Sequence, residues 1–312
     1  MRFSTVFVAM AAIATATITT AAPTPKSSNN QTLTILNYAL SLEHLEAEFY
    51  KQGLAKFNES DFTNGGFNAT VRDRFSDIGD QENTHVMALT SVIESMNGTA
   101  VPICNYTFPM DNMTQFLAVA QALENTGVSA YLGAASNLTG DLLTDAASIT
   151  AVEARHASYL NELWGQYGAP YAFDTPLGPR EVITIASNFI SSCPHNITIK
   201  PFNQLTATLP AAGSNSSMVT TSFMGTGSNS TNSTYCQFLY GNSVSVSPRS
   251  ECSLPMNATG YVYVLITKNK TPLTLEKDSS ILAGPALLFN TISSQSNGTQ
   301  TNGTQTNGTM TS

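Results

Sequence analysis

Carboxylates, imidazoles and phenols recur in this chain at spacings that suit shared helix faces. Glu43 is followed seven residues later by Tyr50, and Glu82 three residues later by His85; the order repeats as Glu124 with Tyr131 and Glu153 with His156. Residues three apart on an α-helix are neighbours on one face, and residues seven apart lie two turns along it. Four Glu and two His from four helices supply two metal ions with three side chains each, or four each where two Glu bridge. Carboxylate with imidazole suits Fe or Mn, with Zn as a further option. Without cations, four carboxylates crowded inside a bundle would be costly to bury. The chemistry open to such a pair is oxidation by oxygen or peroxide, so a small oxidant or a metal ion is the expected substrate.

The neighbours of these residues divide by the same logic. Glu46 lies three residues after Glu43 and reads as a carboxylate of the pocket rather than a seventh ligand. His44 is one residue after Glu43, about 100° away around a helix, and reads as interhelical or surface. The corresponding positions after Glu124 are Asn125 and Gly127, so the internal repeat selects Glu43 over Glu46.

The elements that must carry this set are legible as apolar periodicity. A helix is expected from Thr32 past Tyr50, a second from about Gly66 to Asn97, a third from Asp111 or Asn112 to about Asn137, a fourth from Asp141 to Tyr167, and a short fifth from Pro179 to Ser191. After Asn196 the composition turns to Thr, Ser, Val and Tyr. Strands are expected at 197–199, 204–209, 217–223, 237–240 and 261–267, with 281–289 closing a sheet. The fold class is α+β: a four-helix bundle with a fifth short helix, then a small all-β sandwich. Cys104, Cys193, Cys236 and Cys252 suggest two disulfides; proximity favours Cys236 with Cys252, leaving Cys104 with Cys193.

Composition points to the compartment. Charged residues make up 11% and the net charge is −8, with no basic cluster, so nucleic acid is not an expected partner. Residues 1–21 read as a signal peptide, with Arg2 before an apolar run and small residues at its end. After its cleavage no membrane span is expected. Sixteen of 26 Asn stand in Asn-x-Ser/Thr signals, where chance would give about six. The expected glycan sites are Asn30, Asn58, Asn68, Asn105, Asn196, Asn215, Asn229, Asn257, Asn297, Asn302 and Asn307. The division is then a signal peptide 1–21, a flexible leader 22–31, the bundle 32–192, the β domain 196–291 and a disordered, glycosylated Asn-Gly-Thr tail 292–312.

The ordered set of six ligand-type residues resembles the ferritin-like superfamily, and the Glu-x6-Tyr repeats are most similar to its bacterioferritin branch. The stretch Leu40-Ser-Leu-Glu43-His-Leu-Glu46-Ala-Glu-Phe-Tyr50 resembles secreted fungal ferritin-like proteins of the stress-response and late-sexual-development groups, which are related to plant desiccation-related proteins. The resemblance covers roughly 32–192. It implies Glu43 and Glu124 as terminal ligands, Glu82 and Glu153 as bridges, His85 and His156 as one imidazole per ion, and Tyr50 and Tyr131 as tyrosines hydrogen-bonding across the site. Two functions follow as expectations. One is a secreted glycoprotein, extracellular or in the cell wall, with a dinuclear Fe or Mn site active in stress or developmental protection. The other is a non-catalytic structural glycoprotein with a vestigial or structural metal site, its β domain and glycans binding wall polysaccharide.

Overall fold

The computed structural model of the chain describes residues 29–211, 216–231, 233–274 and 278–290. The expected signal peptide, most of the leader, the Asn-Gly-Thr tail and the glycan sites Asn215, Asn297, Asn302 and Asn307 lie outside the described residues.

Six helices come first: α1 (Asn29–Lys56), α2 (Glu59–Asn64), α3 (Ala69–Ser95), α4 (Met113–Ala134), α5 (Asp141–Leu163) and α6 (Pro179–Ala186). α1 packs along α3, α4 along α5, and α1 also meets α4. Short polar side chains start these helices by accepting otherwise unpaired backbone N–H groups. Asn112 accepts from Gln115 at the start of α4, and Asn68 from Thr70 at the start of α3. Asn58 and Asp61 form a reciprocal capping box that begins α2. That box separates α2 from α1; Gly66, at φ 87°, and the Asn68 cap separate α2 from α3, so the second long helix starts at Ala69 rather than Gly66. α1 begins at Asn29 and takes in the last three residues assigned to the leader. α5 stops at Leu163, short of Tyr167.

The connection from α3 to α4 runs the length of the bundle and is pinned midway. Its short strand β1 (Asn105–Tyr106) pairs antiparallel with β2 (Ile190–Ser192), and Cys104 is bonded to Cys193 across the same join. This pairing ends α6 at Ala186 instead of Ser191. The bond closes 89 residues of sequence, which in a chain-entropy model stabilises the fold by ~4–5 kcal/mol.

The strand-rich part contains β3 (Leu205–Thr208), β4 (Thr220–Phe223), β5 (Tyr235–Tyr240), β6 (Ser243–Pro248), β7 (Gly260–Thr267) and β8 (Ile281–Asn290). Four of them form an antiparallel sheet in the order β6-β5-β7-β8, while β3 and β4 make a separate hairpin. Successive residues of a strand face opposite sides, and β7 uses both. Val262, Val264 and Ile266 pack with Leu205, Ala207 and Val219 of the hairpin side, whereas Tyr263 and Leu265 join the core of the helices. The sheet is thus layered between hairpin and bundle, and Cys236–Cys252 ties β5 to the segment after β6. No strand forms at 197–199. Ile197 and Ile199 instead pack as irregular chain against the helical core, which explains their alternation without a pairing neighbour. β6, with its Ser-Val-Ser-Val-Ser alternation, was not expected.

Candidate metal centre

The four long helices bring all six ligand-type residues to one buried place. Glu43, Glu82, Glu124 and Glu153 are each 0% exposed, and His85 and His156 are buried beside them. Ligand atoms of Glu43, Glu82, His85 and Glu153 lie within 4.8 Å of one another, as do those of Glu82, Glu124, Glu153 and His156. Glu82 and Glu153 belong to both groups. Each group also has one carboxylate and one imidazole of its own.

The contacts are close to two-fold symmetric. His85 Nδ1 is 3.1 Å from Glu82 Oε2, 3.3 Å from Glu43 Oε2 and 3.3 Å from Glu153 Oε1. His156 Nδ1 is 2.9 Å from Glu82 Oε1 and 3.2 Å from Glu124 Oε2. The Tyr50 hydroxyl donates to Glu124 Oε1 at 2.5 Å, and the Tyr131 hydroxyl donates to Glu43 Oε1. Each tyrosine therefore holds the carboxylate of the opposite helix, as the antiparallel run of α1 and α4 requires.

The electrostatics follow from burial and crowding. Burial drives the Glu43 carboxyl up to about 7, and it drives Glu153 well above the carboxylate range, with the Glu82 and Glu124 charges adding to the shift. Burial also lifts Glu124. Burial opposes ionisation of Glu82 as well, but hydrogen bonds from His156 and His85 outweigh it and hold that carboxyl down at about 2. Burial disfavours imidazolium, yet hydrogen bonds to Glu153, Glu43 and Glu82 push His85 up to about 12, and those to Glu124 and Glu82 push His156 up to about 9.

These residues fit a pair of metal ions on the evidence of their unpaired atoms. Glu153 Oε2 is buried with no donor, and Glu43 Oε2, Glu82 Oε1 and Glu153 Oε1 make no well-aligned hydrogen bond, only contacts to the two shared imidazoles. Around His85, three carboxylates converge on a nitrogen that carries at most one hydrogen. Buried carboxylates in native proteins are paired or bind metal, and this donor set of hard oxygens and imidazole suits first-row ions.

Two further residues complete the site. Glu46 is 3% exposed and has one unpartnered oxygen. It stands at the vacant place opposite Gly127: a Cβ on Gly127 would lie 2.9 Å from Glu46 Oε1 and 2.7 Å from Glu153 Oε2. Burial, then the Glu153 charge, pushes the Glu46 carboxyl well up. Gln81 was missed in the sequence. Its Oε1 accepts from His156 Nε2 at 2.8 Å, which leaves Nδ1 facing the carboxylates. His44 turns away, half-buried, with Nε2 3.2 Å from the Val101 carbonyl. Asn30, Asn58, Asn68, Asn105, Asn196, Asn229 and Asn257 are all exposed.

A four-helix bundle with two Glu-x-x-His helices and two carboxylate helices around a shared buried cluster defines a protein class, and a family model agrees with it. Residues 31–166 match the family model described as "Ferritin-like domain", and the helical part of this chain is a ferritin-like domain. The chain is 29% identical over 163 residues to Protein rds1 of Schizosaccharomyces pombe, an alignment spanning 51% of this chain and 39% of that protein. Solved structures similar to it include ferritin-like, diiron-carboxylate proteins from Bacillus anthracis, with 19% identity, TM-score 0.38 and coverage of 43% of this chain and 96% of that one. A conserved hypothetical protein from Mycobacterium tuberculosis has the same identity and TM-score, covering 47% of this chain and 99% of that one.

Proposed function

We propose that this chain is a secreted ferritin-like glycoprotein whose bundle holds two Fe or Mn ions and uses them in metal or oxygen/peroxide chemistry that protects the cell under stress or during development. The observation that carries the reading is the set of four fully buried carboxylates, with unpaired oxygens, facing only two imidazoles. Glu82 and Glu153 would bridge; Glu43 with His85 would complete one ion's ligands, and Glu124 with His156 the other's. A redox-active pair bound there supplies electrons to oxygen or peroxide. The protein's part is to hold the ligands in place. Tyr50 and Tyr131 fix the outer oxygens of Glu124 and Glu43, and Gln81 fixes the His156 ring. Apolar packing around the cluster restricts water. Ligand nitrogens and carboxyls must release their protons to bind, so uptake liberates protons and strengthens as pH rises.

Elemental analysis of the protein secreted by its own host tests the metal. Up to about two Fe or Mn per chain are expected, with oxygen or peroxide consumption by the loaded protein. A fully folded chain that takes up no Fe, Mn or Zn sinks the reading. Secretion is tested separately: the mature protein should migrate above its 33.2 kDa sequence mass and collapse toward it on N-glycosidase treatment.

A further inference from the structure

A second cavity lies on the flank of α1 turned away from the Glu/His cluster. It has a volume of about 330 Å³ and is walled by α1, the crossover segment, α6 and the irregular chain at 195–199. Leu42 and Leu45 point into it while their neighbours Glu43 and Glu46 serve the cluster. Among the described residues no Asp, Glu, Lys or Arg lines it. Two polar atoms of its wall residues, the Tyr38 hydroxyl and His195 Nδ1, are buried without a hydrogen-bond partner. The Cys104–Cys193 bond anchors one wall to another, so the cavity is held open rather than formed on demand.

We propose that this cavity binds a neutral, mainly aliphatic small molecule carrying a single hydroxyl or carbonyl. Its size follows from the volume. An apolar cavity of ~150 Å³ accommodates benzene, so one of this size takes roughly 13 non-hydrogen atoms. Its neutrality follows from the lining, which offers no Asp, Glu, Lys or Arg among the described residues and only one imidazole to meet a charged head group. Its one polar group follows from the unpartnered wall atoms, which a hydroxyl or carbonyl can satisfy. The cavity meets the usual description of a ligand site, mostly apolar with a few placed polar groups.

The test uses the full secreted chain and the small neutral fluorophore 1-naphthylamine, displaced by 1-decanol or by decanoate. Saturable one-to-one enhancement is expected, with decanol displacing the probe at least about tenfold better than decanoate. Ala186→Phe fills the cavity from α6 and should weaken probe binding by about tenfold or more, with metal content unchanged. Thr34→Phe, from an exposed position on α1 at the rim, serves if Ala186→Phe does not fold. His195→Ala should weaken decanol about fivefold. Absence of saturable binding overturns the proposal. So does binding unaltered by whichever cavity variants fold, which would place the probe elsewhere, and so does a preference for decanoate.

Discussion

The two halves of the bundle carry the same chemistry and differ at two positions beside the cluster. α1 with α3 supplies Glu43, Tyr50, Glu82 and His85; α4 with α5 supplies Glu124, Tyr131, Glu153 and His156. Where the first half has Glu46, the second has Gly127. Where the first has Gln81 before its bridging Glu, the second has Val152. The first difference puts a fifth carboxylate against Glu153 on one side of the cluster. The second gives His156 an orienting acceptor through Nε2 that Val152 is unable to give His85. A pseudo-symmetric set of Glu and His thus sits in an asymmetric frame, and the two Glu/His groups are made inequivalent by their neighbours rather than by their own residues.

The largest expected effect removes what the halves share. Glu82→Ala with Glu153→Ala takes one oxygen donor from each group twice over, and bound metal should fall from up to two ions to below about 0.2 per chain by native mass spectrometry. Wild-type metal content in that double variant would show that the cluster is not the site. Next comes Gly127→Ala, which asks the second half to carry a side chain where the first carries Glu46. The new methyl meets two carboxylate oxygens inside 3 Å, so denaturant unfolding should show a loss of roughly 2–3 kcal/mol. Adding Glu46→Ala should recover part of that loss, a coupling that a double-mutant cycle measures directly. Additive effects would place Glu46 elsewhere.

A buried carboxylate belonging to neither half calibrates these numbers. Glu181 on α6 is 6% exposed, and burial raises its carboxyl to about 7. Its proton is favoured in the folded chain, so the associated stability is complete below the unfolded value of ~4.3 and is lost as pH rises through about 7. Glu181→Gln should therefore stabilise the protein at pH 8 by roughly 2 kcal/mol and leave it unchanged near pH 4. An equal shift at both pH values would refute the titration. The smallest effect sharpens the comparison most: Gln81→Leu frees only the His156 ring. One of the two ions should bind about tenfold more weakly while the other is unaffected, as read by stepwise Co(II) titration. Equal weakening of both steps would mean that Gln81 acts on the bundle as a whole.

Most of the site was legible because its residues repeat within single helices. Glu-x6-Tyr and Glu-x-x-His are spacings along one helix, and a helix converts spacing into facing. What crosses between helices left no such trace. The Gln81 bond to His156 joins α3 to α5, and nothing in the residues around either one signals it. Gly127 was visible as the mismatch to Glu46, but its meaning as room for a carboxylate needed the packing of α1 against α4. The strands show the same divide. The β7 run was readable from its β-branched and aromatic residues, whereas Ile197 and Ile199 line a cavity without a partner strand. The Asn58–Asp61 capping box was readable in principle, and without it the short helix α2 went unexpected.

The sheet also touches the bundle at one telling place. The Tyr263 hydroxyl of β7 donates to the Asn125 carbonyl at 3.0 Å, one residue beyond Glu124, and can accept from the Ser129 hydroxyl at 2.8 Å. The change in composition near residue 196 invites a cut there, yet residues of the sheet share the core of the helices. A bundle expressed without its sheet would leave a polar, solvent-wetted scar on α4, directly behind a ligand-bearing turn. Any shorter version of this protein would need a replacement for that brace, such as an apolar substitution at Ser129, before its cluster could be compared with that of the intact chain.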